Sequence, residues 1–151
     1  MHSLSDIRQR GFTLIELLVV IAIISILAVV VFVALDPVTR FADSRDARRQ
    51  QDVQGILTAV QQSIVDDGGV LPVDTNGGTT ATDITATPTE LGTCASCIDL
   101  SGSLSAYLLS MPTDPQVGSA TNTGYSISVN SAGIVTISAL NAENQTVSAS
   151  R

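Results

Sequence analysis

The chain has 151 residues, 44% of them apolar, and a net charge of −7, which leaves room for one modest domain. With three Phe, two Tyr and no Trp to fill a core, a large enzyme is not expected. There is no Lys, six of the seven Arg precede residue 50, and Gln50 to Ser150 holds nine carboxylates and no cation; such a stretch repels phosphate backbones, so no nucleic-acid binding is expected of it.

The apolar residues are concentrated near the start of the chain. Of the 24 residues from Phe12 to Leu35, 21 are apolar, against 46 of the other 127. Leu17 to Leu35 carries no charge and only Ser25 as a polar interruption. As a helix rising about 1.5 Å per residue, it spans about 28 Å, the thickness of a bilayer's hydrocarbon core. The run is longer than the apolar part of a cleaved secretory signal, and Phe32 and Ala34 make a poor cleavage site before Leu35, so the segment is expected to be retained. Arg8 and Arg10 precede it, whereas Arg40, Arg45, Arg48 and Arg49 follow it. The second set is interleaved with acids, Asp36 with Arg40 and Arg48 with Asp52 at i,i+4 and Asp46 with Arg49 at i,i+3, pairs worth roughly 0.2–0.5 kcal/mol each on a helix surface. Discounting it in the charge balance gives a single-pass inner-membrane topology, with a cytoplasmic N-terminus and an exported C-terminal domain.

Glu16 breaks the apolar logic one turn into the run, where an acidic side chain costs roughly 2.5–3.5 kcal/mol near a bilayer centre and less near its edge. It needs a partner. Its surroundings, Arg10-Gly11-Phe12-Thr13-Leu14-Ile15-Glu16-Leu17-Leu18-Val19-Val20, resemble the prepilin signature of type IV pilins and type II secretion pseudopilins. In that signature a short basic leader ends in Gly, a Phe follows, and a Glu is the fifth residue of the mature chain. The resemblance implies cleavage between Gly11 and Phe12 by a membrane-embedded prepilin peptidase, N-methylation of the Phe12 amine, and extraction of subunits from the membrane, through an inner-membrane assembly platform, into a helical homopolymer. The chemistry suits each position. Gly11 lets the backbone approach a peptidase closely. The new Phe12 amine, with an ordinary pKa of about 7.7–8.0, supplies the cation that Glu16 of a neighbouring subunit can pair with. The resemblance thus implies a leader of residues 1–11 and a working subunit that starts at Phe12.

Helical periodicity continues beyond the apolar run through Val53, Ile56, Leu57, Val60 and Ile64, an apolar stripe expected to cover the following domain. A helix from Phe12 to Val65 would be a spine of about 80 Å, its segment 12–35 serving membrane and filament core and its segment 36–66 continuing as an amphipathic helix. Pro37 removes an amide donor, so a kink or local unwinding is expected over residues 33–37. Gly55 is a second weak point, expected to mark close approach of another element. Gly68-Gly69 with Pro72 closes the helix.

From Asp67 to Arg151, 41 of 85 residues are Ser, Thr, Asn, Gln or Gly, a polar, loop-rich head (67–151). Thr75 to Thr89 reads as an exposed loop, and Ser103 to Ser110 as a short helix capped by Ser103 that buries Leu104, Tyr107 and Leu108. Tyr125, Ile127 and Val129 alternate with polar residues, Ser131-Ala132-Gly133 turns the chain, and Val135, Ile137 and Ala139 alternate again; a third strand is expected over Gln145 to Ala149. The fold class expected is α+β: a long helical spine carrying a small antiparallel sheet, as in the pilin fold.

Cys94-Ala95-Ser96-Cys97 is the only cysteine pair, open to reading as a local disulfide, free thiols, half a zinc site or a redox centre. The sole His is His2, in the leader, so zinc is short of ligands, and export to an oxidising compartment favours the disulfide. Asp74, Asn76 and Asp114 lie in loops with oxygen ligands suited to calcium, but neither loop fits the EF-hand pattern, and ordinary turns are preferred. No nucleophile and base pair can be built in a head without His, so neither an enzyme nor an obligatory cofactor is expected. The leading expectation is a structural subunit of a type IV pilus-like filament. The alternatives are a pseudopilin of a type II secretion or competence system and, more remotely, a membrane-tethered thiol- or metal-binding domain using Cys94 and Cys97.

Overall fold

A computed structural model describes residues 11–75 and 84–151. It shows a long N-terminal helical region, α1 (Leu14–Leu35) and α2 (Pro37–Asp66), followed by a four-stranded sheet of β1 (Thr89–Glu90), β2 (Tyr125–Val129), β3 (Val135–Ala139) and β4 (Ser148–Ser150). The class is α+β, as the sequence pattern implies. The chain divides into two compact units, one ending at Arg40 and the other running from Phe41 to Arg151.

In the first unit, α1 is apolar on every side and buries no residue. It is long and apolar enough to cross a membrane: its 22 residues extend about 33 Å at 1.5 Å each. The one hydroxyl within it, Ser25 Oγ, donates to Ile21 O at 2.7 Å, so that group needs no water. The helix ends at Asp36, whose backbone adopts left-handed values, φ 37 and ψ 71. The interruption expected from Pro37 is therefore one residue long. Pro37 then occupies the first position of α2, where its missing donor costs nothing, and Thr39 Oγ1 donates to Asp36 Oδ2 at 2.6 Å across the restart.

The second unit is built on α2 from Phe41 onward. Its buried positions, Ala42, Asp46, Arg49, Val53, Ile56, Leu57, Ala59, Val60 and Ser63, follow helical spacing and form one stripe. From Val53 onward the apolar part of that stripe shares a core with Leu91, Ile98, Leu100, Leu104, Tyr125, Ile127, Val135, Ile137 and Val147. The helix stops as expected at the glycine pair: Gly69 N donates to Ile64 O at 2.7 Å and Gly68 N to Val65 O at 3.4 Å, and both glycines have positive φ, the left-handed close that needs no Cβ. Gly55 departs from expectation, since a Cβ there would meet nothing within 4 Å; it is a tolerated weak helix former and not a site of close packing.

The sheet order is β1-β2-β3-β4 and every pairing is antiparallel. Ile127 lies opposite Ile137 and Tyr125 opposite Ala139, which sets the buried residues of β2 and β3 side by side. The turn between them is the expected one, with Asn130 Oδ1 accepting from Ala132 N at 2.9 Å and Ile134 N at 3.0 Å. Three expectations are corrected. Residues 103–110 form successive turns and not a helix: Leu104 N bonds Leu100 O and Leu108 N bonds Leu104 O, but Ser103 Oγ donates to Val73 O at 2.7 Å instead of capping the segment. Leu104 is buried there, while Tyr107 and Leu108 are only partly so. The third strand lies at Ser148–Ser150, following Val147, which is anchored in the core. Thr89, assigned to a loop, begins the edge strand β1 opposite Ile127.

Candidate functional site

At the start of α1 the backbone of Thr13 is extended, φ −79 and ψ 153, which makes it the N-cap. Helix N-termini leave amide donors without intrahelical acceptors, and here a capping box satisfies two of them. Glu16 N donates to Thr13 Oγ1 at 3.3 Å, and Glu16 Oε2 accepts from Thr13 N at 2.8 Å and Thr13 Oγ1 at 2.9 Å. The carboxylate lies at the positive end of the helix dipole. The acid that looked isolated in an apolar run thus has a local role in the single subunit. Around it, Phe12 and Leu14 are each 90% exposed, and a Cβ at Gly11 would meet nothing within 4 Å. The Gly11-Phe12 bond and the Glu16 carboxylate are brought together on one open helix end; residues 1–10, the rest of the segment expected to be a leader, lie outside the described residues.

In the head, Cys94 and Cys97 form a disulfide, with Cα atoms 5.0 Å apart. Asp74 Oδ1 accepts from Asp99 N at 2.8 Å. Asn76 lies outside the described residues. Asp114 faces a cation of the chain itself: Arg49 Nε reaches its Oδ2 at 2.7 Å and Arg49 Nη2 its Oδ1 at 3.1 Å. Gln116 N and Val117 N also donate to Asp114 Oδ1, at 2.9 and 3.1 Å, so both oxygens are already engaged. Among the described residues, no three His, Cys, Asp or Glu side chains are grouped to hold a metal ion.

Arg49 is the residue the sequence pattern misplaced. Counted among solvated helix pairs, it is fully buried, and besides Asp114 it donates to Asp46 at 2.8 Å and Glu143 at 2.9 Å. Arg45 forms a fork with Glu143, both contacts 2.6 Å, and Asp46 accepts the backbone N–H groups of Glu143 and Asn144. Arginine suits such a hub because its planar fork serves several carboxylates at once. The pairing sets the titration of every member. Contacts from Arg45 first, and Arg49 second, hold the Glu143 carboxyl down to about 2. Burial pushes Asp46 and Asp114 up, but the Asn144 and Glu143 amides with Arg49 for Asp46, and Arg49 with the Gln116 and Val117 amides for Asp114, leave both below the ordinary carboxylate range. The signal available in the sequence was spacing: Ala42, Asp46, Arg49 and Val53 continue one helical stripe, and the carboxylates of a head whose single cation is the terminal Arg151 find theirs on the helix.

A family model described as the prokaryotic N-terminal methylation motif matches residues 7–32. Neither a curated protein nor a solved structure matches the chain.

Proposed function

We propose that this chain, which carries over residues 7–32 the N-terminal methylation motif that is the signature of type IV pilins and pseudopilins, is a structural subunit of a type IV pilus-like filament. It is processed at Gly11-Phe12, methylated on the Phe12 amine, held in the membrane by α1 with its head exported, and polymerised through that helix. The observation that carries the reading is the placement of the motif: it opens a helix of 22 residues, none of them buried within the chain. Lipid covers that apolar surface before assembly, and neighbouring copies of α1 cover it afterwards.

Removal of the leader creates a cation at Phe12, one helical turn before Glu16 in the chain. In a filament core both charges are withdrawn from water, at a cost of several kcal/mol per ion. Pairing Glu16 of one subunit with the Phe12 amine of its neighbour offsets that cost and fixes the axial register. Mass spectrometry of the mature N-terminus tests the reading. The expected chain begins at N-methylated Phe12; retention of residues 1–11 would falsify it. The same motif serves pseudopilins, and imaging surface filaments, with inspection of neighbouring genes for a retraction ATPase or an outer-membrane secretion channel, separates the two roles.

A further inference from the structure

The two sulfurs of the Cys94–Cys97 disulfide occupy different surroundings. Cys97 is buried, at 6% exposure. Its Sγ lies 3.8 Å from Asn122 Nδ2, a donor, and 3.7 Å from Thr121 O, an acceptor. Cys94 is partly exposed, flanked by exposed Thr93, Ala95 and Ser96, and its Sγ lies 3.6 Å from Ser96 Oγ.

The backbone around the pair is held without the bond. Thr93 N donates to Ala120 O at 3.2 Å, Cys94 N to Thr121 O at 3.1 Å and Cys97 N to Cys94 O at 3.0 Å, while Gly92 N bonds Ile98 O at 3.0 Å and Ile98 N bonds Glu90 O at 2.9 Å. Gly92, at φ +148, lies so close to Thr121 O that a Cβ has no room. Breaking the sulfur–sulfur bond therefore leaves both side chains on a fixed loop, beside a core anchored separately by Leu91, Ile98 and Leu100.

We propose that Cys94–Cys97 is a thiol–disulfide exchange site of the exported head, with Cys94 as the attacked sulfur and Cys97 as the leaving one, open to small thiols and to the dithiol of an exported oxidoreductase. In the reducing direction, a thiolate attacks Cys94 Sγ and the Cys94–Cys97 bond breaks. Cys97 departs as a thiolate with the electron pair, and Asn122 Nδ2 is placed to donate to it. A second thiol of the reductant then displaces Cys94 from the mixed disulfide. The reductant leaves as a disulfide, and its two protons finish on Cys94 and Cys97, with Thr121 O available to the new Cys97 S–H. Oxidation by a disulfide donor runs the same steps backwards through a mixed disulfide on Cys94.

The test uses the processed full chain in detergent micelles. Dithiothreitol is expected to reduce the pair completely, shown by alkylation and peptide mass spectrometry, with the far-UV circular dichroism unchanged. With glutathione disulfide as probe, Cys97→Ser is expected to be glutathionylated on Cys94 roughly tenfold faster than Cys94→Ser is on Cys97. Equal rates, faster modification of Cys97, or a wild-type disulfide that yields only when the head unfolds overturns the proposal. The wild-type measurement stands even where a serine variant fails to fold.

Discussion

Arg49 on α2 and Asp114 in the loop before β2 form a two-pronged ion pair with both side chains withdrawn from solvent, Nε to Oδ2 at 2.7 Å and Nη2 to Oδ1 at 3.1 Å. Sixty-five positions separate them in the chain, so the pair fastens an irregular stretch of the head to the helix that carries it. Removing one partner of a buried pair strands the other charge, at about 3–5 kcal/mol. Arg49→Met is accordingly expected to destabilise the head by that amount in thermal or urea unfolding, and Arg49→Lys to recover only part of it, because an ammonium cannot reproduce the fork. A change below about 1 kcal/mol for Arg49→Met would show that the pair contributes specificity alone.

Acid should loosen the same fastening. The carboxyls of Asp46, Asp114 and Glu143 titrate lower in the folded chain than their ordinary values. Below those ordinary values the unfolded chain takes up protons that the folded chain refuses, so stability present at neutral pH is lost as pH falls. For Glu143 the window runs from 4.5 down to about 2. Melting temperatures should be level from neutral pH to about pH 5 and fall from there to about pH 3, with a shallower slope in Glu143→Gln. Equal slopes in the two proteins would remove Glu143 from the acid response.

Tyr125 links β2 to α2 through its hydroxyl, which donates to Asp52 Oδ2 at 2.7 Å. Burial first, and then the Asp52 carboxylate, raises its pKa above the ordinary 10.0. A raised acid contributes stability that is fully present below the ordinary value and is lost as pH climbs toward the folded one. Absorbance titration near about 295 nm should show one tyrosine ionising only with alkaline unfolding. Tyr125→Phe should cost roughly 1.5–3 kcal/mol, the range for a hydrogen bond to a charged group.

Glu16 caps α1, and the charge pairing proposed for it in assembly is a second role that substitution can separate from the first. Glutamine preserves a capping box but not the charge, whereas alanine removes both. Glu16→Gln is expected to leave α1 helical and the leader correctly removed, yet to assemble poorly; Glu16→Ala should in addition fray the first turn in hydrogen exchange. Normal filament yield from Glu16→Gln, counted by electron microscopy, would exclude charge pairing from assembly.

Residues whose chemistry agrees with their local pattern were legible in the sequence. The apolar run at 12–35, the glycine stop at 68–69, the alternation in β2 and β3 and the methylation motif over residues 7–32 all fall in this class. The strand at Thr89–Glu90 was hidden because two residues carry no period, and the turns at 103–110 because Ser103 bonds Val73, thirty positions away. Asp46 and Arg49 were obscured for a different reason. Both lie on the buried stripe but are charged, and a charge reads as solvated until its distant partners, Asp114 and Glu143, are known. The capping role of Glu16 was present in Thr13-x-x-Glu16 and was overshadowed by the apolar context.

The gathering of arginine onto α2 also governs how the head meets proteases. Enzymes that cut after Lys or Arg find no site between Gln50 and Ser150, although much of that stretch is irregular and exposed. Arg49, at its upstream border, is fully buried. A head whose loops would otherwise invite nicking thus offers trypsin-like enzymes no cleavable residue over that stretch, whatever its rigidity.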